Sequence, residues 1–312
     1  MNQTLTWKLG ILGQGLLVVF FWSAAKIAIK FGLAEVSPFA LAAIVQTFSA
    51  LVLIARRKWA STKKTQFKPS YQELMIMIIS GVVTFAGANL FIAVGLQYVT
   101  GSMAGLVATT TSIFGFLLAL LFLGERVKWL QGVGVMIVLM GAYIFLAQDF
   151  LSGHWLGIGL LLVAEMAFAF GNVMARLISV SQPEDVSTTM SLVGNVVGAS
   201  VLIPVAALTG QLGSLAGLPL WVWGMLAVIG IIYAWASVLW NQVLDKLRVI
   251  EVSVLANTMI VQVAILSVIF LGERLSSANI IGGIIVLIGA LLVDGGIFSE
   301  SEEPVVAVAD SS

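Results

Sequence analysis

The chain contains no cysteine, a single histidine (His154) and few charges, fifteen basic and fifteen acidic side chains among 312 residues. Without cysteine there is no disulfide framework and no thiolate metal site, and one imidazole builds no histidine cluster. The charges cancel, so no global field argues for nucleic acid or an anionic partner. No Gly-x-x-x-x-Gly-Lys-Ser/Thr loop occurs, which argues against an ATP-driven pump. His-Glu-x-x-His and neighbouring aspartates, the groups of intramembrane proteases or phosphotransferases, are missing too. No catalytic residue, metal or cofactor is therefore expected. Nor is there a filter-like segment or ring-forming acid, which leaves an ion channel only as the alternative from another class.

What the chain has in abundance is apolar surface: 60% of residues are hydrophobic and 10% charged, against roughly 25% charged in soluble domains. A bilayer core about 30 Å thick needs about 20 apolar residues per helix. Ten such stretches are present, at 11–31, 38–56, 74–97, 102–123, 129–147, 156–178, 187–208, 220–241, 250–271 and 279–297. The expected fold is an all-α integral membrane protein of ten transmembrane helices. Lys8 followed by an apolar run ending at Ser23-Ala24-Ala25 has the outline of a signal peptide. Cleavage there would remove most of the first helix and spoil the internal repeat.

That repeat has an offset of 148 residues: Phe122-Leu123-Gly124-Glu125-Arg126 recurs as Phe270-Leu271-Gly272-Glu273-Arg274, with Gly134, Leu139 and Gly141 matched by Gly282, Leu287 and Gly289. A weaker echo sets Trp22 and Lys30 against Phe168 and Arg176. Five spans per copy force the second to enter the membrane from the opposite side, the inverted plan of many secondary transporters. The expected organisation is a first repeat over 1–148, an inverted second repeat over 149–298 and an acidic, disordered tail over 299–312. With the N-terminus inside, cytoplasmic segments collect twelve of the fifteen basic residues, Lys8, Arg56, Arg57, Lys58, Lys63, Lys64, Lys68, Arg126, Lys128, Arg176, Lys246 and Arg248. The positive-inside rule thus places both termini in the cytoplasm.

On these residues the sequence resembles the EamA-like branch of the drug/metabolite transporter superfamily, whose copies each close with a Leu-Gly-Glu-Arg turn between their fourth and fifth helices. The run Leu239-Trp240-Asn241-Gln242-Val243-Leu244-Asp245-Lys246-Leu247 resembles the end of that family's eighth helix, and Trp22 to Lys30 its first; the likeness covers residues 8–297. It implies ten helices, a bacterial inner membrane, alternating access to a cavity lined by helices 1, 3, 4, 6, 8 and 9, and export of amino acids or related metabolites. One departure concerns the proline that the family often carries about thirteen residues before each repeat's Glu. Here Ser112 and Ile260 stand there, which counts against a substrate-gating helix break at that point.

Ionisable groups at membrane depth are costly unless paired or hydrated, so they are functional candidates. Trp22, Lys26 and Lys30 are spaced four apart and share one helix face. Lys30 lies near the outer boundary and snorkels; Lys26 is deep enough to need an acceptor, and Glu165 on the sixth helix is the best acid on offer. Glu165, Phe168, Asn172 and Arg176 fall near one stripe. The pair has two readings: a structural lock, whose mutation loses folded protein, or a substrate or proton site, whose mutation loses transport in folded protein. Gln46, Asn89, Asn195, Asn257 and Gln262 are neutral polar groups at depth. Each alone suits an interhelical hydrogen bond, and Asn89, Asn257 and Gln262 rank highest as ligand contacts. Trp22, Tyr233 and Trp235 are candidates for a pocket wall, whereas Trp7, Trp59, Trp129, Trp155 and Trp221 suit interfacial anchoring. Gly101 with Gly105, and Gly194 with Gly198, have the small-xxx-small spacing of close helix packing. The Gly-Glu-Arg turns are expected to cap helix ends, Glu125 on the inner face and Glu273 on the outer.

The function expected is secondary transport of a small molecule, the export of amino acids, aromatic or hydrophobic ones included, by a monomer or homodimer in the lipid bilayer. Trp22, Lys26, Asn89, Glu165, Asn172, Tyr233, Asn257 and Gln262 form the candidate substrate site, with Glu165 also the proton-coupling candidate. The alternative is a polyspecific exporter of cationic drugs in which Glu165 meets the ligand.

Overall fold

The structure is a computed structural model, and it describes residues 3–60, 68–123, 129–150, 154–179, 186–247, 252 and 255–295. Expectations placed on Lys63, Lys64, Glu125, Arg126, Lys128, Arg248 and the 299–312 tail lie outside the described residues.

Every regular element among the described residues is helical. They are α1 (Gln3–Gly32), α2 (Pro38–Ala60), α3 (Tyr71–Ser80), a π-helical stretch (Gly81–Ala88), α4 (Asn89–Gly95), α5 (Gly101–Ala108), α6 (Thr110–Leu123), α7 (Trp129–Phe150), α8 (Trp155–Ser179), α9 (Val186–Leu208), a 3-10 turn (Gln211–Leu215), α10 (Leu220–Lys246), α11 (Met259–Leu271) and α12 (Ser277–Gly295). Six continuous stretches are long and apolar enough to cross a membrane: Leu9–Gly32, Pro38–Trp59, Tyr71–Gly95, Trp155–Ile178, Val186–Leu208 and Leu220–Leu244. Shorter apolar helices run over Gly132–Phe145, Leu255–Leu271 and Ser277–Leu292. An all-helical plan follows from the composition, because a lipid-facing backbone must satisfy its own hydrogen bonds. Local signals set the ends. Ser70 and Glu73 form a reciprocal capping box at the start of α3, and Gly272 ends α11 with φ 66°, a conformation that costs glycine nothing.

Glycine determines which helices touch. α7 and α12 run face to face so closely that a Cβ on Gly141 would lie 2.7 Å from the Val286 nitrogen and 2.9 Å from the Gly282 oxygen. A Cβ on Gly289 would meet the Val138 nitrogen at 2.6 Å and the Gly134 oxygen at 2.9 Å. Adding 148 turns Gly141, Val138 and Gly134 into Gly289, Val286 and Gly282, so the two contacts are one contact read from either helix. The other glycine pairs pack as their spacing suggests. Gly105 admits the Val263 side chain of α11, and Gly194 and Gly198 admit Phe85 from the π-helical stretch.

Two spans are interrupted. Between α5 and α6 the Thr109 amide bonds the Leu106 oxygen at 3.0 Å and the Ser112 amide bonds the Thr109 oxygen at 3.3 Å, the tighter pattern of a 3-10 turn. The hydroxyls of Thr109, Thr110 and Thr111 each reach back three residues, to the oxygens of Leu106, Val107 and Ala108. Before α11, Thr258 does the same with both its amide and its hydroxyl toward the Leu255 oxygen. The absence of proline at 112 and 260 therefore does not remove a break here. Threonine makes it, because a hydroxyl that bonds a backbone carbonyl competes with the helical amide for it.

Candidate functional site

At the centre of the molecule α1 contributes Lys26 and α8 contributes Glu165, both about 95% buried, with Nζ 2.8 Å from Oε1. The second carboxylate oxygen lies 2.5 Å from the Thr111 hydroxyl on α6. Two charges taken out of water need this arrangement, since the desolvation of each is repaid only by good geometry and further hydrogen bonds.

The pair stands in the wall of a cavity of about 120 Å³. Trp22, Phe85, Phe168, Tyr233 and Trp240 provide aromatic surface, while Gln46, Asn89, Asn172, Asn195, Asn241 and Ser80 provide polar groups. Trp22 and Trp240 stack obliquely with ring centroids 4.9 Å apart, and the Trp240 indole donates to Asn172 Oδ1 at 3.1 Å. Ser80 is 1% exposed and its hydroxyl has no protein partner. The π-helical stretch forms part of this wall, where Thr84 donates to the Ala167 oxygen at 2.9 Å. Single-turn π segments are frequent at functional sites because they re-aim side chains without ending a helix.

A second polar system crosses the cavity floor. Gln46 Nε2 donates to Asn195 Oδ1 at 2.8 Å, joining α2 to α9. Ser49 donates to the same oxygen at 2.5 Å, and Asn89 donates to Gln46 Oε1 at 3.3 Å. Asn195 Nδ2 in turn bonds the Ser191 oxygen at 2.7 Å, and Asn241 donates to the Ser191 hydroxyl at 2.9 Å. Gln46 and Asn195 thus make the interhelical bonds that their position suggests, and they bring α2 and α9, the second and seventh of the ten expected spans, into a lining expected from spans 1, 3, 4, 6, 8 and 9 alone.

Of the eight residues singled out in the sequence, Trp22, Lys26, Asn89, Glu165, Asn172 and Tyr233 line this one cavity. Asn257 and Gln262 stand outside the lining, although their neighbours Ala256 and Met259 are in it. Asn257 Oδ1 accepts from Ser112 at 3.1 Å; Gln262 accepts from Ser23 and donates to Thr258, at 3.3 and 3.2 Å. Both amides fasten the second break to α6 and α1. Trp235 is not a pocket wall either: it is 46% exposed on the outside of α10, with the Arg56 guanidinium 4.8 Å above its ring. Lys30 does not simply snorkel, but donates to the Leu96 and Val99 oxygens at the end of the α4 span.

Near Lys30 the start of α5 is tied to the turn that precedes α12. Glu273 Oε1 accepts from the Gly101 amide at 2.6 Å, and Oε2 accepts from the Ser102 amide and hydroxyl at 3.0 and 2.8 Å. Glu273 does cap a helix end, but that of α5, far away in sequence. Carboxylate at a helix N-terminus is favourable through both the free amides and the helix dipole.

The sequence model of the EamA-like transporter family matches residues 9–147 and again residues 155–294. The chain belongs to this family of transporters. An uncharacterized transporter of Archaeoglobus fulgidus is 27% identical to this EamA-like chain over 285 residues, covering 89% of the chain and 96% of the relative. The uncharacterized transporter YyaM of Bacillus subtilis is 24% identical over 291 residues, covering 89% and 86%. A solved crystal structure superposes with a TM-score of 0.65 at 18% identity, over 91% of this chain and 96% of that one, a likeness of fold.

Proposed function

We propose that this EamA-like transporter is a secondary carrier that exports amino acids or similar zwitterions by alternating access, with the Lys26–Glu165 pair at its binding site. The observation that carries the reading is that pair in the wall of a cavity lined with aromatic side chains. The two charges compensate each other, so a guest of one sign would leave the opposite side chain buried and unpaired, a strongly unfavourable state. A zwitterion brings both signs. Its carboxylate takes Lys26, its ammonium takes Glu165, and Trp22, Trp240 and Tyr233 face an apolar or aromatic side chain.

The architecture that goes with this reading is ten crossings in two inverted halves in a bacterial inner membrane, with both termini in the cytoplasm. Support comes from the family model matching each half, from the reciprocal α7–α12 contact and from breaks at the related positions Thr109 and Thr258. Gln46 with Asn195, and Asn89 with Ser237, are likewise about 148 apart, and Asn195 reaches Ser237 at 3.4 Å as Asn89 reaches Gln46.

Counterflow in proteoliposomes tests the proposal, with labelled amino acids, nucleosides and organic cations offered to wild type, Lys26→Ala and Glu165→Gln. Exchange of amino acids that is lost in folded Lys26→Ala supports it. Movement of organic cations alone, with only Glu165→Gln inactive, replaces it with the drug-exporter reading.

A further inference from the structure

The five amide side chains in the cavity lining differ in what they have left to offer a guest. Gln46 Nε2 donates to Asn195 Oδ1 at 2.8 Å, Asn89 Nδ2 to the Phe85 oxygen at 2.9 Å, Asn195 Nδ2 to the Ser191 oxygen at 2.7 Å and Asn241 Nδ2 to the Ser191 hydroxyl at 2.9 Å. Asn172 is half-buried in the same lining, and its Nδ2 has no hydrogen-bond partner among the described residues. The orientation of that amide is not free. Trp240 Nε1 lies 3.1 Å from Asn172 Oδ1, and an indole N–H can only donate. The flipped amide would set donor against donor, so the oxygen faces Trp240 and the NH2 is the end left over. Trp240 is itself held against Trp22, with ring centroids 4.9 Å apart.

Asn172 stands two turns beyond Glu165 on α8, with Phe168 between them on one stripe of the lining. Two turns rise about 10 Å. A guest whose ammonium rests on Glu165 therefore meets Asn172 with another part of its structure, past the Phe168 ring. The other titratable residues of the lining are Lys26 and Tyr233. A further charge on the guest would find no counter-charge there and would stay unpaired, whereas a neutral acceptor finds the Asn172 donors.

We propose that Asn172 is a specificity-determining residue, with Trp240 as its positioning residue, and that its NH2 takes a neutral hydrogen-bond acceptor at the far end of the guest's side chain. This rests on the reading of the cavity as a zwitterion site. The substrate class narrows accordingly, to amino acids whose side chains are apolar or aromatic along their length and end in a hydroxyl or carbonyl oxygen. Tyrosine and glutamine have that form; phenylalanine and norleucine, of similar length, do not. A guest without the oxygen displaces water from the Asn172 donors and leaves them unpaired, which disfavours it more than a lost methylene would.

The experiment measures half-saturation constants for counterflow in proteoliposomes, pairing tyrosine with phenylalanine and glutamine with norleucine. Wild type should favour the oxygen-bearing member of an exchanging pair by about tenfold, the factor that one net hydrogen bond corresponds to. Asn172→Leu should remove the preference by raising the constant for tyrosine or glutamine while leaving that of its counterpart unchanged. Trp240→Phe keeps a ring beside Trp22 but lets the amide turn over, and should reduce the preference; a purely structural Trp240 would change both members alike. Because Asn172→Leu alone leaves the indole N–H unpaired, Asn172→Leu combined with Trp240→Phe removes both partners and should fold with the preference gone. Tyr233→Phe should keep the preference, whatever it does to the rate. A wild type that exchanges amino acids without favouring tyrosine or glutamine over its counterpart overturns this inference alone, as does a preference that survives in the double variant or vanishes in Tyr233→Phe. A wild type that exchanges no amino acid overturns the zwitterion reading together with it.

Discussion

At the scale of single residues, the buried charged side chains among the described residues are Lys26 and Glu165, and the consequence of their pairing can be measured. Removing one partner of a buried pair leaves the other uncompensated, at a cost of about 3–5 kcal/mol, whereas replacing both with apolar residues of similar size is often neutral. Lys26→Met should therefore lower thermal stability, and Lys26→Met combined with Glu165→Leu should recover it. The double variant should nevertheless remain dead in counterflow. Recovery of transport together with stability would reduce the pair to a structural lock. Lys26 and Glu165 were legible in the sequence because ionisable groups at membrane depth are rare. Thr111, Ser80 and Phe85 were not, since a lone hydroxyl or phenyl on an apolar helix is ordinary packing. The run Thr109-Thr110-Thr111-Ser112 was the available signal, four consecutive hydroxyls in the middle of a span. Trp240 and Asn241 were visible only as part of a family-like run, and it took the fold to turn them toward the cavity.

At the scale of elements, backbone approach rather than side-chain bulk distinguishes the helix contacts. Gly141→Ala should weaken the α7–α12 contact, because its new Cβ would stand 2.7 Å from a backbone nitrogen that cannot swing away. Gly132→Ala, on the same helix with nothing within 4 Å, should be neutral or stabilising by about 0.5–1 kcal/mol, the entropy that glycine loses in a helix. Melting temperatures of the two variants in detergent check the difference; equal values would mean the contact is looser than the geometry says. The sequence announced these glycines by their repeat. The breaks are not announced by proline, which is absent at both positions. Both interruptions are instead built from threonine hydroxyls bonding carbonyls three residues back, a competition that depends on local geometry and leaves no distinctive residue behind.

At the scale of the whole molecule, the Glu273 clasp joins the start of α5 to the turn before α12. The proposed alternating access would separate these two elements if the molecule opens at this end. Because the chain has no cysteine of its own, Ser102→Cys with Glu273→Cys can be bridged by a short bifunctional thiosulfonate without background labelling. Bridging should stop counterflow, and dithiothreitol should restore it. Unchanged transport in the bridged protein would show that the clasp stays shut throughout the cycle.

Some of this was determined by the sequence alone: a helical membrane protein, its family, and the pair of buried charges. Those follow from composition, periodicity and the cost of charge in lipid, which need no partner to evaluate. Only the tertiary structure decided that Glu273 caps α5, that Gln46 meets Asn195, that Asn257 and Gln262 fasten a break rather than line the cavity, and that Thr111 stands between a carboxylate and an interrupted helix. Each of these is a meeting of groups distant in sequence. Which acceptor a hydroxyl or amide finds depends on differences of about an ångström in helix placement, and the close packing of glycine faces supplies that placement.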